Sequence, residues 1–148
     1  MHPLRYMLST SATIEGWAKY AENYSLSYIT DQTLYEFITE YTYLIEMAHM
    51  ILDMGVNYYD WDMTQFEENM MNLGLISEDE SVEQLEASYL SFVMSPGDYV
   101  KYYGTSMEIR NMAKQYRKKG KSDLEFHTDY LDVGVTSLRV IKEALGLK

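Results

Sequence analysis

The 148-residue sequence has no cysteine, only two prolines and eight glycines, and few basic side chains. The absence of cysteine excludes disulfides, thiolate metal ligands and cysteine nucleophiles. Because proline and glycine are scarce and no run alternates like a strand, the sequence favours long helices. No apolar run approaches the roughly 20 residues that a membrane-spanning helix needs. The segment 1–5 lacks the apolar stretch of a signal peptide.

The charge of the chain is strongly one-sided, with 12 basic against 23 acidic side chains and a net charge of -11. Such a balance opposes binding to nucleic acids and to anionic membrane surfaces. The basic run 117–121 falls at the predicted end of a helix, where the helix dipole favours cations. The apolar content of 47% and the aromatic content of 14% fit one folded domain with a sizeable core.

The helix start and stop signals predict an all-α fold, a single domain of six or seven helices over residues 1–148. Helices are predicted at about 11–28, from the low thirties to 53 or 56, then at 63–73, 78–94, 96–118, 123–133 and 136–145. Thr30, Asp31 and Thr33 are candidate caps of the second helix. Capping boxes are predicted at Thr33–Glu36, Asp62–Gln65, Ser77–Glu80 and Ser122–Glu125. Ser95 is a predicted cap with Pro96 at the first helical position, and Gly104 is a predicted kink or weak point.

Two glutamates, Glu15 and Glu22, stand seven residues apart in the first predicted helix. That spacing puts both carboxylates on one face of the helix, in a stretch otherwise rich in Ala, Ile, Trp and Tyr. An acidic side chain on an apolar helix stripe is costly to bury unless it meets a cation, a metal or hydrogen-bond donors. This face is therefore the first candidate for a functional site.

The same run resembles the Glu-Gly-Trp-Ala-x-Tyr-Ala-Glu segment of the bacterial domain-of-unknown-function family 885, whose members look like gluzincin-type zinc metallopeptidases. Here it reads Glu15-Gly16-Trp17-Ala18-Lys19-Tyr20-Ala21-Glu22. The resemblance implies that Glu15 is the third protein ligand of zinc. It also implies that Glu22 contacts the ligands and orients them without binding the metal itself. It also implies two further ligands and a general base from an upstream His-Glu-x-x-Pro-Gly-His-His run, which these 148 residues do not contain.

Further segments extend the resemblance over about 14–145, so that the chain resembles the C-terminal part of a larger helical protein. They are Asp53-Met54-Gly55-Val56-Asn57, which matches an Asp-x-Gly-x-His pattern except at Asn57, then Glu86-Ala87-Ser88-Tyr89, the stretch 96–104, and Phe126-His127-Thr128-Asp129. Within them, Tyr102 and His127 are the implied oxyanion or substrate contacts, since a developing oxyanion needs a preorganised donor. Packing inside the fold is the alternative role of both residues.

The long second helix carries a polar stripe formed by Glu46, His49, Asp53 and Asn57, three to four residues apart. Its neighbours are apolar nearly all round, which predicts deep burial. The stripe indicates either a cavity or network between helices, or a simple pairing of His49 with Asp53 and a neighbouring backbone group.

The resemblance implies that an intact parent hydrolyses peptide bonds with zinc-activated water. This chain alone is then expected to be inactive and to bind zinc only weakly. Its expected partners are the upstream half of the parent, a peptide substrate there, and in isolation a second copy that covers apolar surface around Ile14, Trp17 and the long helix.

Two alternative functions stay open. One is a non-enzymatic helical interaction module. The other is a carboxylate-bridged di-metal bundle built on Glu46-Met47-Ala48-His49, with Glu15, Glu22 and Glu86 as further carboxylates. Such a bundle needs two Glu-x-x-His segments, and the sequence contains one.

Overall fold

The computed structural model of the protein describes residues 11–77 and 81–147. Within these ranges it consists of helices and connecting turns, with no strand, which confirms the all-α prediction and the expected number of helices. The α-helices are α1 (Ser11–Ser25), α2 (Gln32–Tyr58), α3 (Met63–Asn72), α4 (Val82–Met94), α5 (Thr105–Lys118), α6 (Asp123–Val133) and α7 (Leu138–Ala144). A 3₁₀ turn (Leu26–Tyr28) follows α1, and a π-helical segment (Val100–Gly104) precedes α5. No described helix has the length and apolar character to cross a membrane.

Two predicted capping boxes are present. In Asp62–Gln65 and in Ser122–Glu125, the first side chain accepts from the backbone N–H three residues on, and the second side chain accepts from the backbone N–H of the first. The hydrogen bonds from Ser122 and Lys121 lower the pKa of Glu125 to about 2. Local side-chain chemistry thus fixes the starts of α3 and α6.

The other two helix starts differ in part from the prediction. Of the candidate caps of α2, Asp31 is confirmed, because its carboxylate accepts from Leu34 N–H at 3.0 Å, and the predicted box Thr33–Glu36 is wrong. In the predicted box Ser77–Glu80, Glu80 lies outside the described residues. Helix α4 begins at Val82, with Ser81 as its N-cap.

The chain divides into two compact units. The first contains α1, α5, α6 and α7, and the second covers residues 31–100 with α2, α3 and α4. The chain passes between them at 30–31 and again at 100–101, beside the start of the π-helical segment. The organisation as a single domain over 1–148 stays a prediction.

The first unit is built around an aromatic core in which α1 packs against α5 and α6. Its buried residues are Tyr20, Ile109, Met112, Ala113, Tyr116, Phe126, Tyr130 and Ile141. Phe126 lies at its centre, with the rings of Tyr20, Tyr116 and Tyr130 packed around it at centroid distances of 5.3–6.0 Å. Aromatic side chains bury much apolar area each, so few residues suffice to hold these short helices.

The second unit packs α2 against α3 and α4. Its buried apolar residues are Leu52, Val56, Phe66, Leu85 and Phe92. Gly55 faces the Trp61 indole so closely that a β-carbon there would lie 2.0 Å from the ring. The Tyr89 hydroxyl then donates to the Trp61 carbonyl at 2.9 Å, which fixes the turn after α2.

A buried carboxylate organises the second unit. Asp53, only 1% exposed, accepts hydrogen bonds from the backbone N–H groups of Gly97 (2.9 Å), Tyr99 (3.0 Å) and Val100 (3.2 Å). The Asn57 amide also donates to it at 2.9 Å, and donates to the Phe92 carbonyl at 3.1 Å. Free N–H groups at a helix start need acceptors, and a negative charge is favoured there. The Asp53 carboxylate of α2 supplies the acceptors and the negative charge to the helix start at 98–100.

The predicted local cap after α4 is therefore replaced by a long-range one. Ser95 accepts from Asp98 N–H through its carbonyl at 3.2 Å, and Pro96 lies in the turn before the next helical residues. Sequence reasoning placed the cap in the neighbouring residues, whereas the folded chain draws it from α2, more than 40 residues away.

We predict that Asp53→Asn lowers the free energy of unfolding by about 2–4 kcal/mol, since an amide presents donors where three backbone N–H groups need acceptors. The matched control is Asp60→Asn. Asp60 is exposed and has a positive φ of 55°, which Asn tolerates well, so a change within about 0.5 kcal/mol is expected. Urea unfolding of both variants measures the difference. Equal effects would show that Asp53 does not hold the second unit together.

Candidate functional site

The candidate site is the polar face of α1. An α-helix turns by about 100° per residue, so Glu15 and Glu22 project within about 20° of each other. Glu22 is exposed and accepts a hydrogen bond from Lys19 Nζ at 3.1 Å. Glu15 is half-exposed, and within the described residues its carboxylate has no hydrogen bond or ion pair. Glu15 is thus the carboxylate of this face that remains available to a ligand.

The opposite face of α1 holds the helix against the unit. At Gly16 a β-carbon would lie 2.3 Å from Thr105 Cγ2, so glycine allows α1 to approach the start of α5. Thr13 Oγ1 donates to the Thr136 carbonyl at 2.8 Å, and the Trp17 ring stacks on Tyr130 at 4.7 Å. These contacts on three sides fix the direction in which Glu15 projects.

A tyrosine from the π-helical segment meets the polar face of α1. Lys19 Nζ lies 5.5 Å from the centre of the Tyr103 ring, within the range of a cation–π interaction. Tyr102, the predicted tyrosine, has Lys101 over its ring at 5.2 Å. Sequence reasoning missed Tyr103 and Lys19. The four-residue step from Glu15 to Lys19 was the signal that could have indicated Lys19.

His127 lies on the far side of α1 from the two glutamates. Its Nε2 is 3.0 Å from the Tyr20 hydroxyl, and the rings of Trp17 and Tyr24 meet it edge-on at 5.6 and 4.8 Å. Burial among these rings lowers the pKa of His127, which favours the neutral imidazole. Position 20 is about 140–160° around the helix axis from positions 15 and 22.

The structure thus brings some predicted site residues together and separates others. Glu15 and Glu22 share one face, with Lys19 between them and Tyr103 over Lys19. His127 contacts the other face of α1, through Tyr20. A role of His127 in the same cleft as Glu15 stays a prediction, and its observed contacts are those of a residue that supports α1.

An apolar cavity of about 220 Å³ opens beside this helix. Thr13, Ile14 and Trp17 of α1 line it from one side, and Tyr130 and Leu131 of α6 line it from the other. The hydroxyl of Tyr130 is buried and has no hydrogen-bond partner among the described residues, and its burial raises its pKa. The cavity is large enough for an apolar side chain, and its lining includes no carboxylate, imidazole or amine.

In the polar stripe of α2, Asp53 and Asn57 form a hydrogen-bond network with the segment 92–100, and the described bonds of His49 and Asp53 do not join these two residues. His49 Nδ1 donates to the Ile45 carbonyl one turn earlier at 2.8 Å, and its ring lies 5.0 Å from that of Tyr99. Asp53 is satisfied by backbone N–H groups and Asn57. Glu46 is buried at 3% exposure.

No three His, Asp or Glu side chains in 11–77 and 81–147 are arranged so that they could hold a metal ion. Glu15 and Glu22 on α1 and the Glu46–His49 segment on α2 are included in this finding. The described residues therefore do not supply three such ligands by themselves, and a site with three protein ligands would need donors from elsewhere.

We predict that Gly16→Ala destabilises the protein although alanine is the better helix former. Helix propensity alone would raise stability by about 1 kcal/mol, whereas forcing a methyl group against Thr105 costs about 1–3 kcal/mol. Thermal unfolding gives the sign, and Thr105→Ser in the Gly16→Ala background should recover part of the loss. A higher melting temperature for Gly16→Ala alone would contradict the close approach of α1 and α5.

Comparison with known proteins gives one match. No curated protein sequence and no solved structure matches the chain. The profile of the family described as "Bacterial protein of unknown function (DUF885)" matches residues 1–145, nearly the whole sequence. The chain therefore belongs to the DUF885 family.

Proposed function

We propose that this chain is the C-terminal part of a zinc-dependent metallopeptidase-like protein, in which Glu15 supplies one carboxylate ligand. The observation that carries the proposal is the half-exposed Glu15 carboxylate, which has no partner among the described residues. Its helix is fixed by the Gly16–Thr105 contact. A ligand held in advance on a packed helix loses little freedom on binding.

The residues of this chain do not by themselves fit a catalytic zinc ion. Such an ion takes about three protein ligands and keeps one position open, whereas the polar face of α1 offers a single unengaged carboxylate and no histidine. The remaining donors and the general base would come from the His-Glu-x-x-Pro-Gly-His-His run of an upstream half. Alone, the chain is proposed to be inactive.

The surrounding residues have distinct proposed roles. Glu22, through its ion pair with Lys19, sets the charge beside Glu15. Tyr102 is the proposed hydroxyl donor to the substrate or oxyanion, and Tyr103 is a second candidate because of its contact with Lys19. His127 would contact a substrate that extends to the side of α1 on which Tyr20 lies.

The partners follow from the same proposal. The upstream half of the parent would cover the polar face of α1, and a peptide would be the substrate of the assembled protein. In isolation, a second copy of the chain would cover apolar surface left exposed, because such patches associate when nothing else covers them.

A non-enzymatic helical interaction module is the second candidate, and one observation favours it. Eight large apolar side chains of α2 are exposed, from Leu34 to Tyr58. No comparable observation favours the di-metal bundle: Glu46 and His49 lie on α2 of the second unit, and no second Glu-x-x-His segment exists in the sequence.

We predict that zinc binds the isolated chain weakly and that the chain shows no peptidase activity, because two ligands and the base are missing. Calorimetric titration of zinc into metal-free protein measures the affinity. Glu15→Ala should reduce whatever binding occurs, and Glu68→Ala, which removes an exposed carboxylate of α3 in the second unit, is the control.

Tight one-to-one zinc binding that Glu15→Ala abolishes would contradict the ligand count given above. The reading frame upstream of Met1 tests the other half of the proposal. Its continuation into a His-Glu-x-x-Pro-Gly-His-His run is the expected result. A natural start with no such neighbour would favour the interaction module.

A further inference from the structure

The longest helix of the described chain leaves an apolar stripe uncovered. Four residues follow one another at intervals of seven: Phe37, Leu44, Ile51 and Tyr58. They are 67%, 60%, 43% and 73% exposed, respectively. We call these four residues the α2 seam. A seven-residue repeat keeps one face of a helix against one partner helix, which is the geometry of a coiled coil. At 1.5 Å per residue, the seam is about 32 Å long.

Further exposed apolar side chains widen the α2 seam on both sides. Leu34 and Tyr41 flank its first half, and Met47 and Met54 flank its second half, each 44–57% exposed. The buried residues of α2, such as Leu52, Asp53 and Val56, begin only at Glu46. From 32 to 45 no residue of the helix is buried. Half-buried residues such as Ile38 and Ile45 lie on its other side. Because short helices gain most of their stability from packing, a partner on the exposed side would stabilise the first half of α2.

The charges beside the α2 seam indicate the chemistry of that partner. Glu36 and Glu40 are the charged side chains that α2 exposes, since Glu46 and Asp53 are buried. No Lys or Arg occurs anywhere in 32–58. Glu40 lies three residues after Phe37 and four before Leu44, at the edge of the α2 seam. Coiled coils place residues that form ion pairs with the facing helix at such flanking positions. A facing helix with basic residues at its flanks satisfies Glu40, whereas an acidic one is repelled.

A second copy of α2 fits this surface less well. It offers the same apolar seam, but it brings no cation to Glu36 or Glu40, and each chain carries a net charge of -11. Association of two copies through this face would therefore be weak and would strengthen with salt, since salt screens repulsion.

We propose that the α2 seam is the docking site of one amphipathic helix, supplied by another polypeptide segment, with an apolar seven-residue repeat and Lys or Arg at its flanks. Such a helix displaces the weaker contact between copies of the chain. This inference does not depend on the zinc role of Glu15, because α1 lies in the other unit and none of its residues takes part.

The probe for this proposal is a synthetic 28-residue helix with Leu and Ile at the repeat positions and Lys at the flanking positions. The same peptide with Glu at the flanking positions is its control. Fluorescence anisotropy of labelled peptide, titrated with the full chain, measures binding. We expect saturable one-to-one binding of the Lys peptide. The Glu peptide should bind at least about tenfold more weakly, and Glu40→Lys should reverse this preference.

Variants of the chain locate the site. Phe37→Ser with Leu44→Ser should weaken binding of the Lys peptide about tenfold or more. The control is Leu90→Ser with Met94→Ser, two α4 side chains that are 53% and 80% exposed, which should bind as the parent does. Since all four residues are exposed, circular dichroism should show unchanged helix content and melting temperature.

Three outcomes would overturn the proposal. Equal binding of the Lys and Glu peptides would show that charge does not select the partner. Unchanged binding in the Phe37→Ser, Leu44→Ser variant would place the peptide elsewhere. Sedimentation could show a tight dimer that the Lys peptide does not dissociate but that Leu44→Ser disrupts. That result would assign the α2 seam to a second copy of the chain.

Discussion

The close approach of α1 to the start of α5, at Gly16 and Thr105, is the contact on which the candidate site depends. A β-carbon at position 16 would overlap Thr105, so the helices can meet at this distance only with glycine there. The approach brings Trp17 onto Tyr130 and Tyr20 against Phe126. One face of α1 is thereby buried, and Glu15, Lys19 and Glu22 are left on the other. In the Glu-Gly-Trp motif, Gly16 and Trp17 pack α1 against the rest of the unit, whereas the Glu15 carboxylate points away from these contacts.

The second unit shows how a motif that looks catalytic can serve the fold. In Asp53-x-Gly55-x-Asn57, the aspartate caps backbone N–H groups, the glycine makes room for Trp61, and the asparagine bridges Asp53 to Phe92. Asparagine suits this place because its amide nitrogen carries two donors and makes both bonds. The hydrogen bonds of Asp53 and Asn57 thus hold segments of the second unit together.

Much of the fold could be predicted from the sequence, since it depends on local chemistry. The ends of α4 and α5, the stop at Gly134 and two capping boxes follow from short patterns of residues, whereas α1 ends at Ser25 and gives way to a 3₁₀ turn over the last three predicted residues. What could not be predicted depends on contacts distant in sequence. The Asp53 cap joins positions more than 40 apart, and the ring cluster around His127 joins α1 to α6. Likewise, the shared face of Glu15 and Glu22 followed from helical spacing, but the placement of Tyr103 beside Lys19 required the fold itself.

The Glu15 face of α1 is the proposed metal-facing surface of this chain. Paramagnetic broadening of backbone amide signals by Mn²⁺, a cation that prefers carboxylates, tests it most directly on the isolated protein. The account predicts that the first signals to broaden belong to α1 around Glu15 and Glu22 and to Tyr103, and that Glu15→Gln removes this broadening selectively. Broadening that starts around His127 or Glu46, or that Glu15→Gln leaves unchanged, would contradict it.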